Sequence, residues 1–263
     1  MWQKLNRLDI VNLEKARVQI INVLQLVAAP LRSFIDNSRN KFLDWPEWDQ
    51  ESSSFVSNKF GKNQEITVSL DVEKFILSIN GADQKKEHLV LSGMTYPMAY
   101  GWMKIKLETF QLDGSLFDDK APYKLENYLK PEAEISSEDQ FTYNQIAINY
   151  SNAAFLFNSL IKELKTNGKI LIDPSNANMV LLASSDSLPR MGFSLGNKSF
   201  PEPYYFIGIN DKSNTEIEDF DGIWNGALSE IVIMASDFLN QNQDLEFQKV
   251  RDFFSSNLNK IPK

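Results

Sequence analysis

The chain has 263 residues, 43% of them hydrophobic, which is enough to bury a core and excludes an intrinsically disordered chain. Its 27 basic and 35 acidic residues leave a formal charge of −8, a field that repels phosphate backbones and anionic surfaces, so neither nucleic acid nor membrane is an expected partner. There is no cysteine, which removes disulfides, thiolate nucleophiles and thiolate metal sites together and fits a reducing cytoplasm.

Lys4, Arg7, Lys15 and Arg17 precede an apolar run over residues 18–29, an order that resembles a secretion signal. Asp9 and Glu14 interrupt the basic part, and Gln19, Asn22 and Gln25 recur on one side of the run at helical spacing. The reading is therefore an amphipathic first helix over 12–29, with Ile20, Ile21, Leu24 and Val27 facing the core and Pro30 ending it. No stretch reaches the ~20 apolar residues of a membrane span. Residues 31–63 read as turn-rich, with Trp45-Pro46-Glu47-Trp48, a serine run at 52–54 and one strand around Phe55-Val56.

The clearest pattern follows. Ile66, Val68, Leu70 and Val72 alternate with Thr67, Ser69, Asp71 and Glu73, placing the aliphatics on one face of a strand and the polar set in water. Phe75, Leu77 and Ile79 repeat the alternation, Asn80-Gly81 predicts a tight hairpin, and Leu89-Val90-Leu91 supplies a third run. Thr95 then caps a helix with Pro97 in its first turn. Its apolar stripe is Met98, Trp102 and Ile105, with Ala99, Met103, Leu107 and Phe110 beside it.

Residues 113–139 are charge-rich, carry Pro122 and Pro131, and read as a long surface connection. The chain is thus a single α+β unit over 1–263, with an internal division into 1–112 and 140–263 as the alternative. Beyond it, 141–148 alternates loosely like a strand, and Ser151 opens a helix to about 166 that Gly168 closes. Residues 179–183 and 204–209 read as strands, 184–197 as loop, and 227–239 and 244–258 as two closing helices. The fold class is α+β, an antiparallel meander packed against several amphipathic helices.

Conventional catalytic motifs are missing. Gly192-Phe-Ser194-Leu-Gly196 matches a nucleophile elbow, but Asn-Lys-Ser-Phe-Pro-Glu-Pro follows where the elbow needs a helix, and the single histidine, His88, precedes the serine. With one histidine and no cysteine, zinc hydrolases, histidine triads and two-histidine iron sites are disfavoured. No glycine-rich phosphate loop appears, so no nucleotide cofactor is expected. Carboxylates remain: Asp211, Glu216, Glu218, Asp219 and Asp221 crowd one segment. Asp219, Asp221 and Glu230 match positions of a calcium loop, but Ile223 and Trp224 stand where an oxygen ligand and a glycine are needed. Asp219 and Asp221 are retained as candidate ligands of a looser calcium or magnesium site, against a plain solvated loop. Trp45, Trp48, Tyr204 and Tyr205 lie in or beside loops, where rings serve either a binding face or the core edge, and Glu202 joins them.

Two stretches carry a family resemblance. Val18-Gln-Ile-Ile-Asn-Val-Leu-Gln-Leu-Val-Ala-Ala-Pro30 resembles the T-Q-I-V-G-K-V-R-L-A-L-x-P first helix of an uncharacterised bacterial domain-of-unknown-function family, and Pro201-Glu-Pro-Tyr-Tyr205 resembles its late P-E-P-x-aromatic stretch. The family carries histidine and tryptophan before the glutamine and lysine and arginine after it, where this chain has Lys15, Arg17, Val23 and Gln25, so no site transfers from those positions. The resemblance implies architecture and a bacterial origin and adds no reaction. The expected function is a cytoplasmic binding or protein-interaction protein whose acidic surface masks a basic partner. The alternative is a carboxylate enzyme acting on a small molecule, magnesium- or calcium-dependent, with Glu202, Asp219 and Asp221 at its centre.

Overall fold

The computed structural model describes residues 1–35, 42–61, 65–82, 85–120, 124–125, 127–137, 139–183, 188–209, 220–239 and 242–260. It is an α+β protein with two antiparallel sheets, and it divides into two compact units whose boundaries lie at residues 13/14, 147/148, 171/172 and 177/178. The first unit holds Glu14–Ala147 with Ile172–Ala177, and the second holds Met1–Leu13, Ile148–Leu171 and Asn178–Lys263. Helix α1 (Ile10–Phe34) and helix α3 (Gln140–Glu163) each contribute to both.

In the first unit, β1 (Glu47–Asp49), β2 (Ser54–Val56), β3 (Thr67–Asp71), β4 (Ile76–Asn80) and β5 (Lys86–Val90) form a five-stranded sheet in sequence order. The predicted alternation sets the register, with Val68 opposite Ile79 and Leu70 opposite Leu77, all four buried. Helix α2 (Tyr96–Thr109) begins at Thr95, whose side chain accepts from the Met98 N–H at 3.4 Å. Glu87, on that apolar face, pairs with Lys106 of α2 at 3.0 Å. The Asn80-Gly81 turn is longer than the two-residue hairpin expected, since five residues separate β4 from β5. Gly81 has no positive φ. The Phe110 ring explains it, because a Cβ at Gly81 would lie 2.7 Å from that ring.

Pro30 does not end α1; it lies inside the helix. The ring removes one intrahelical bond, and complete burial of Val27, Ala28, Ala29 and Leu31 around it offsets the loss. Nor does the polar side of α1 face water. The Gln19 carbonyl accepts from Ser136 N–H at 2.7 Å, and Asn22 donates to the Asn127 carbonyl and accepts from Leu129 N–H, each at 3.1 Å. Gln25 donates to the Pro174 carbonyl at 2.6 Å. Three amides thus bind loop backbone, and the described parts of the predicted connection over 113–139 pack into the first unit, with Phe117, Leu125 and Ile135 buried. That explains why the units do not divide at 112 and 140.

The second unit is built on β6 (Gly168–Ile172), β7 (Met179–Ala183), β8 (Met191–Ser194), β9 (Tyr204–Gly208), β10 (Ile223–Asn225) and β11 (Glu230–Met234), in the order β10-β11-β9-β8-β7-β6. Helices α4 (Ala235–Phe238) and α5 (Gln243–Leu258) close it. The predicted strand over 141–148 is the start of α3, which Asp139 caps through Thr142 N–H at 3.2 Å and the Thr142 hydroxyl at 2.6 Å. Tyr143, Ile146, Ala147, Tyr150, Ala153, Ala154, Phe157 and Leu160 continue one helical stripe through both units. The helix predicted over 227–239 divides into strand β11 and the short helix α4, and the loop predicted over 184–197 contains β8. Among the described residues no helix is long and apolar enough to cross a membrane.

Candidate functional site

A broad concavity lies on the polar face of the first sheet, opposite the buried aliphatics. Strand alternation places Asp49, Ser54, Val56, Thr67, Ser69, Asp71, Ile76, Ser78, Asn80, Lys86 and His88 on it, around a trough of about 760 Å³. One row crosses four strands from Val56 through Ser69 and Ser78 to His88, each directly opposite the next. Small hydroxyls floor the trough because neighbouring outward positions on β2, β3 and β4 are serines, which leave space that longer side chains would fill. The Asn80 amide donates to the Ser69 hydroxyl at 3.3 Å, ordering part of this floor.

Carboxylates occupy one end. Asp49 accepts from the Ser52 hydroxyl at 2.5 Å, Glu73 accepts from the Ser53 hydroxyl at 2.9 Å, and Glu51 and Asp71 lie beside them. The ammonium of Lys74 is 3.5 Å from Asp71 and is mostly exposed. Lys86 and His88 occupy the opposite edge strand. Ser78 and His88 are cross-strand neighbours, but among the described residues no hydrogen bond joins them and no carboxylate orients the imidazole, so the pair lacks the base–orienter relay of a nucleophilic site. The trough is equipped to accept and donate hydrogen bonds over an extended area.

Comparison of the chain with protein-family models, curated proteins and solved structures returned no match.

The residues singled out in the sequence fall in both units. Trp45 and Trp48 belong to the first. Trp45 is half-buried with its ring edge-on to Phe42 at 4.9 Å, and Trp48 turns away from the trough to meet Phe55 at 5.2 Å on the covered face. Glu202, Tyr204 and Tyr205 belong to the second. Tyr205 is fully buried among Trp2, Phe157, Phe193, Phe238 and Phe254. Tyr204 is also buried, between Phe200 and Phe206, and its hydroxyl accepts from the Asn197 amide at 2.8 Å. These tyrosines present the core-edge role, since β9 is covered on both faces.

Glu202 accepts from the Ser236 N–H at 2.7 Å and the Ser236 hydroxyl at 2.8 Å, fastening the start of α4. Asp221 accepts from the Ser256 hydroxyl at 2.6 Å and lies 3.3 Å from the Lys260 ammonium at the end of α5. Those two contacts, the hydroxyl first, hold its carboxyl below the ordinary range. Asp219 lies outside the described residues. Among the described residues no three His, Asp or Glu side chains gather as metal ligands. Ser194 of the elbow-like motif is buried and accepts from Gly196 N–H at 3.1 Å, while Gly192 is needed because a Cβ there would lie 2.2 Å from the Phe206 ring.

Sequence reasoning passed over the trough. Its signal was the polar half of the alternation, where serine, threonine and asparagine stand in place of the long charged side chains that usually solvate an open sheet face.

Proposed function

We propose that this chain is a binding protein of the bacterial cytoplasm whose receptor surface is the open face of the first sheet, and that it takes a basic, hydrogen-bonding segment of a protein partner. The trough carries the reading: about 760 Å³ of concave surface floored by Ser54, Ser69, Ser78 and Asn80. Hydroxyls and amides at strand spacing match the donors and acceptors of an extended backbone laid across them. Asp49, Glu51, Asp71 and Glu73 outnumber Lys74 and Lys86 along the lining, and the whole chain adds its charge of −8, so a basic segment is both steered in and held. The absence of cysteine agrees with a reducing compartment.

A labelled decapeptide of alternating lysine and serine is the probe, with glutamate–serine as its control. Fluorescence anisotropy should show the lysine peptide binding at low salt, weaker binding at physiological salt, and no binding of the control. Ser69→Arg, which fills the trough and opposes the peptide's charge, should weaken binding at least tenfold with an unchanged melting temperature. Equal binding of both peptides, or of wild type and S69R, would sink the reading.

A further inference from the structure

Among the described residues, four Arg, Asp or Glu side chains belong to buried residues: Arg17, Asp44, Glu230 and Glu246, with relative exposures of 4%, 6%, 2% and 0%. Burying a charge is costly unless it is paired or neutralised. Three of the four have an answer inside the chain. Asp44 accepts from the Arg32 guanidinium at 2.8 Å, and Glu230 pairs with Arg190. Glu246 accepts from the Trp2 indole at 3.3 Å and Leu5 N–H at 3.2 Å.

Arg17 has no such answer. It makes no hydrogen bond or ion pair with any described residue, and its Nη1 is enclosed without a partner. A guanidinium keeps its charge at any pH a folded protein meets, so it cannot escape by losing a proton. Its position sharpens the point. On α1 it stands one turn from Leu13 and Ile20, both fully buried, with Ala16 and Ile21 also buried beside them, on the apolar stripe of the helix. In such surroundings a counter-charge gains far more than it would in water.

We propose that Arg17 is the recognition group of an oxyanion site, completed by the carboxylate or phosphate of a small molecule. The planar guanidinium offers paired N–H donors that match two oxygens of one such group. Chloride, a sphere, cannot use that geometry. The site is independent of the sheet face, and neither proposal needs the other.

The test uses the full chain, with sodium phosphate, sodium acetate and sodium chloride at matched ionic strength, reading both the melting temperature and the Arg17 Nε–H NMR signal, assigned by its loss in Arg17→Met. Phosphate or acetate should raise the melting temperature and shift that signal, while chloride does neither. A response to phosphate alone assigns a phosphoryl ligand, and one to acetate alone a carboxylate. Arg17→Lys should keep the charge and weaken the response at least tenfold. R17M should abolish it and melt no lower than wild type in anion-free buffer. The proposal is overturned if all three salts act alike on wild type, if R17M keeps the response, or if R17M melts well below wild type without anion. Should R17M fail to fold, the wild-type titration and R17K still decide.

Discussion

Glu230 shows what one buried carboxylate demands of its neighbours. Burial raises its pKa above the ordinary range, and Arg190 works against that rise without removing it. Because the folded-state pKa lies above the unfolded one, ionising Glu230 takes stability away as pH climbs through the carboxylate range, and the stability it contributes is complete only at lower pH. Arg190→Met should therefore cost about 2 kcal/mol at neutral pH, short of the roughly 3–5 kcal/mol of a fully buried pair because Arg190 is itself half exposed. Urea melts at neutral and acid pH should show the difference from wild type shrinking as the carboxyl protonates. Glu246 makes a simpler case. Glu246→Ala leaves the Trp2 and Leu5 donors without an acceptor and should lower stability by roughly 2–4 kcal/mol, whereas Glu246→Gln keeps an acceptor oxygen and should lose about half of that or less.

Helix phase is where elements can be tested most cheaply. On α2, Ala99, Met103 and Leu107 are buried, while Met98 and Ile105 are 55% and 65% exposed, so the apolar stripe predicted through Met98 and Ile105 is turned outward. Leu107→Ala should cost roughly 2–5 kcal/mol by urea denaturation and Ile105→Ala within about 0.5 kcal/mol, and the reverse order would contradict this packing. The cause of the misreading is visible: apolar residues surround this helix on more than one side, so period alone does not choose the buried one. Where only one choice buried the aliphatics, as on β3 and β4, sequence and structure agree. The start of α3 shows the opposite failure. Loose alternation over 141–148 suggested a strand, but Tyr143, Ile146 and Ala147 belong to a longer helical stripe that becomes evident only when read on through Tyr150 and Phe157.

For the whole molecule, the α+β class and the first meander were legible because each rests on local patterning. The second sheet was mostly not. Its β7 and β9 match the strands read over 179–183 and 204–209, whereas β8 and β11 are buried along nearly their full length and lack the alternation that marks a half-buried strand. The division into units was illegible for another reason: Gln19 and Asn22 reach across more than a hundred residues to bind the described parts of a segment that composition alone marks as a connection. The trough was half legible. Thr67, Ser69 and Asp71 were recognised as outward-facing, yet only the pairing of β3 with β2 and β4 shows that they share one concave floor with Ser54, Ser78 and His88.

That floor contains the chain's single histidine, which supplies a reporter free of overlap. The most direct measurement is a two-dimensional NMR titration that follows the His88 ring signals while the lysine–serine peptide is added. The account predicts a saturable shift of those signals, lost in S69R and absent with the glutamate–serine peptide. Binding of the lysine peptide with the His88 ring signals unmoved would place the contact elsewhere and contradict it.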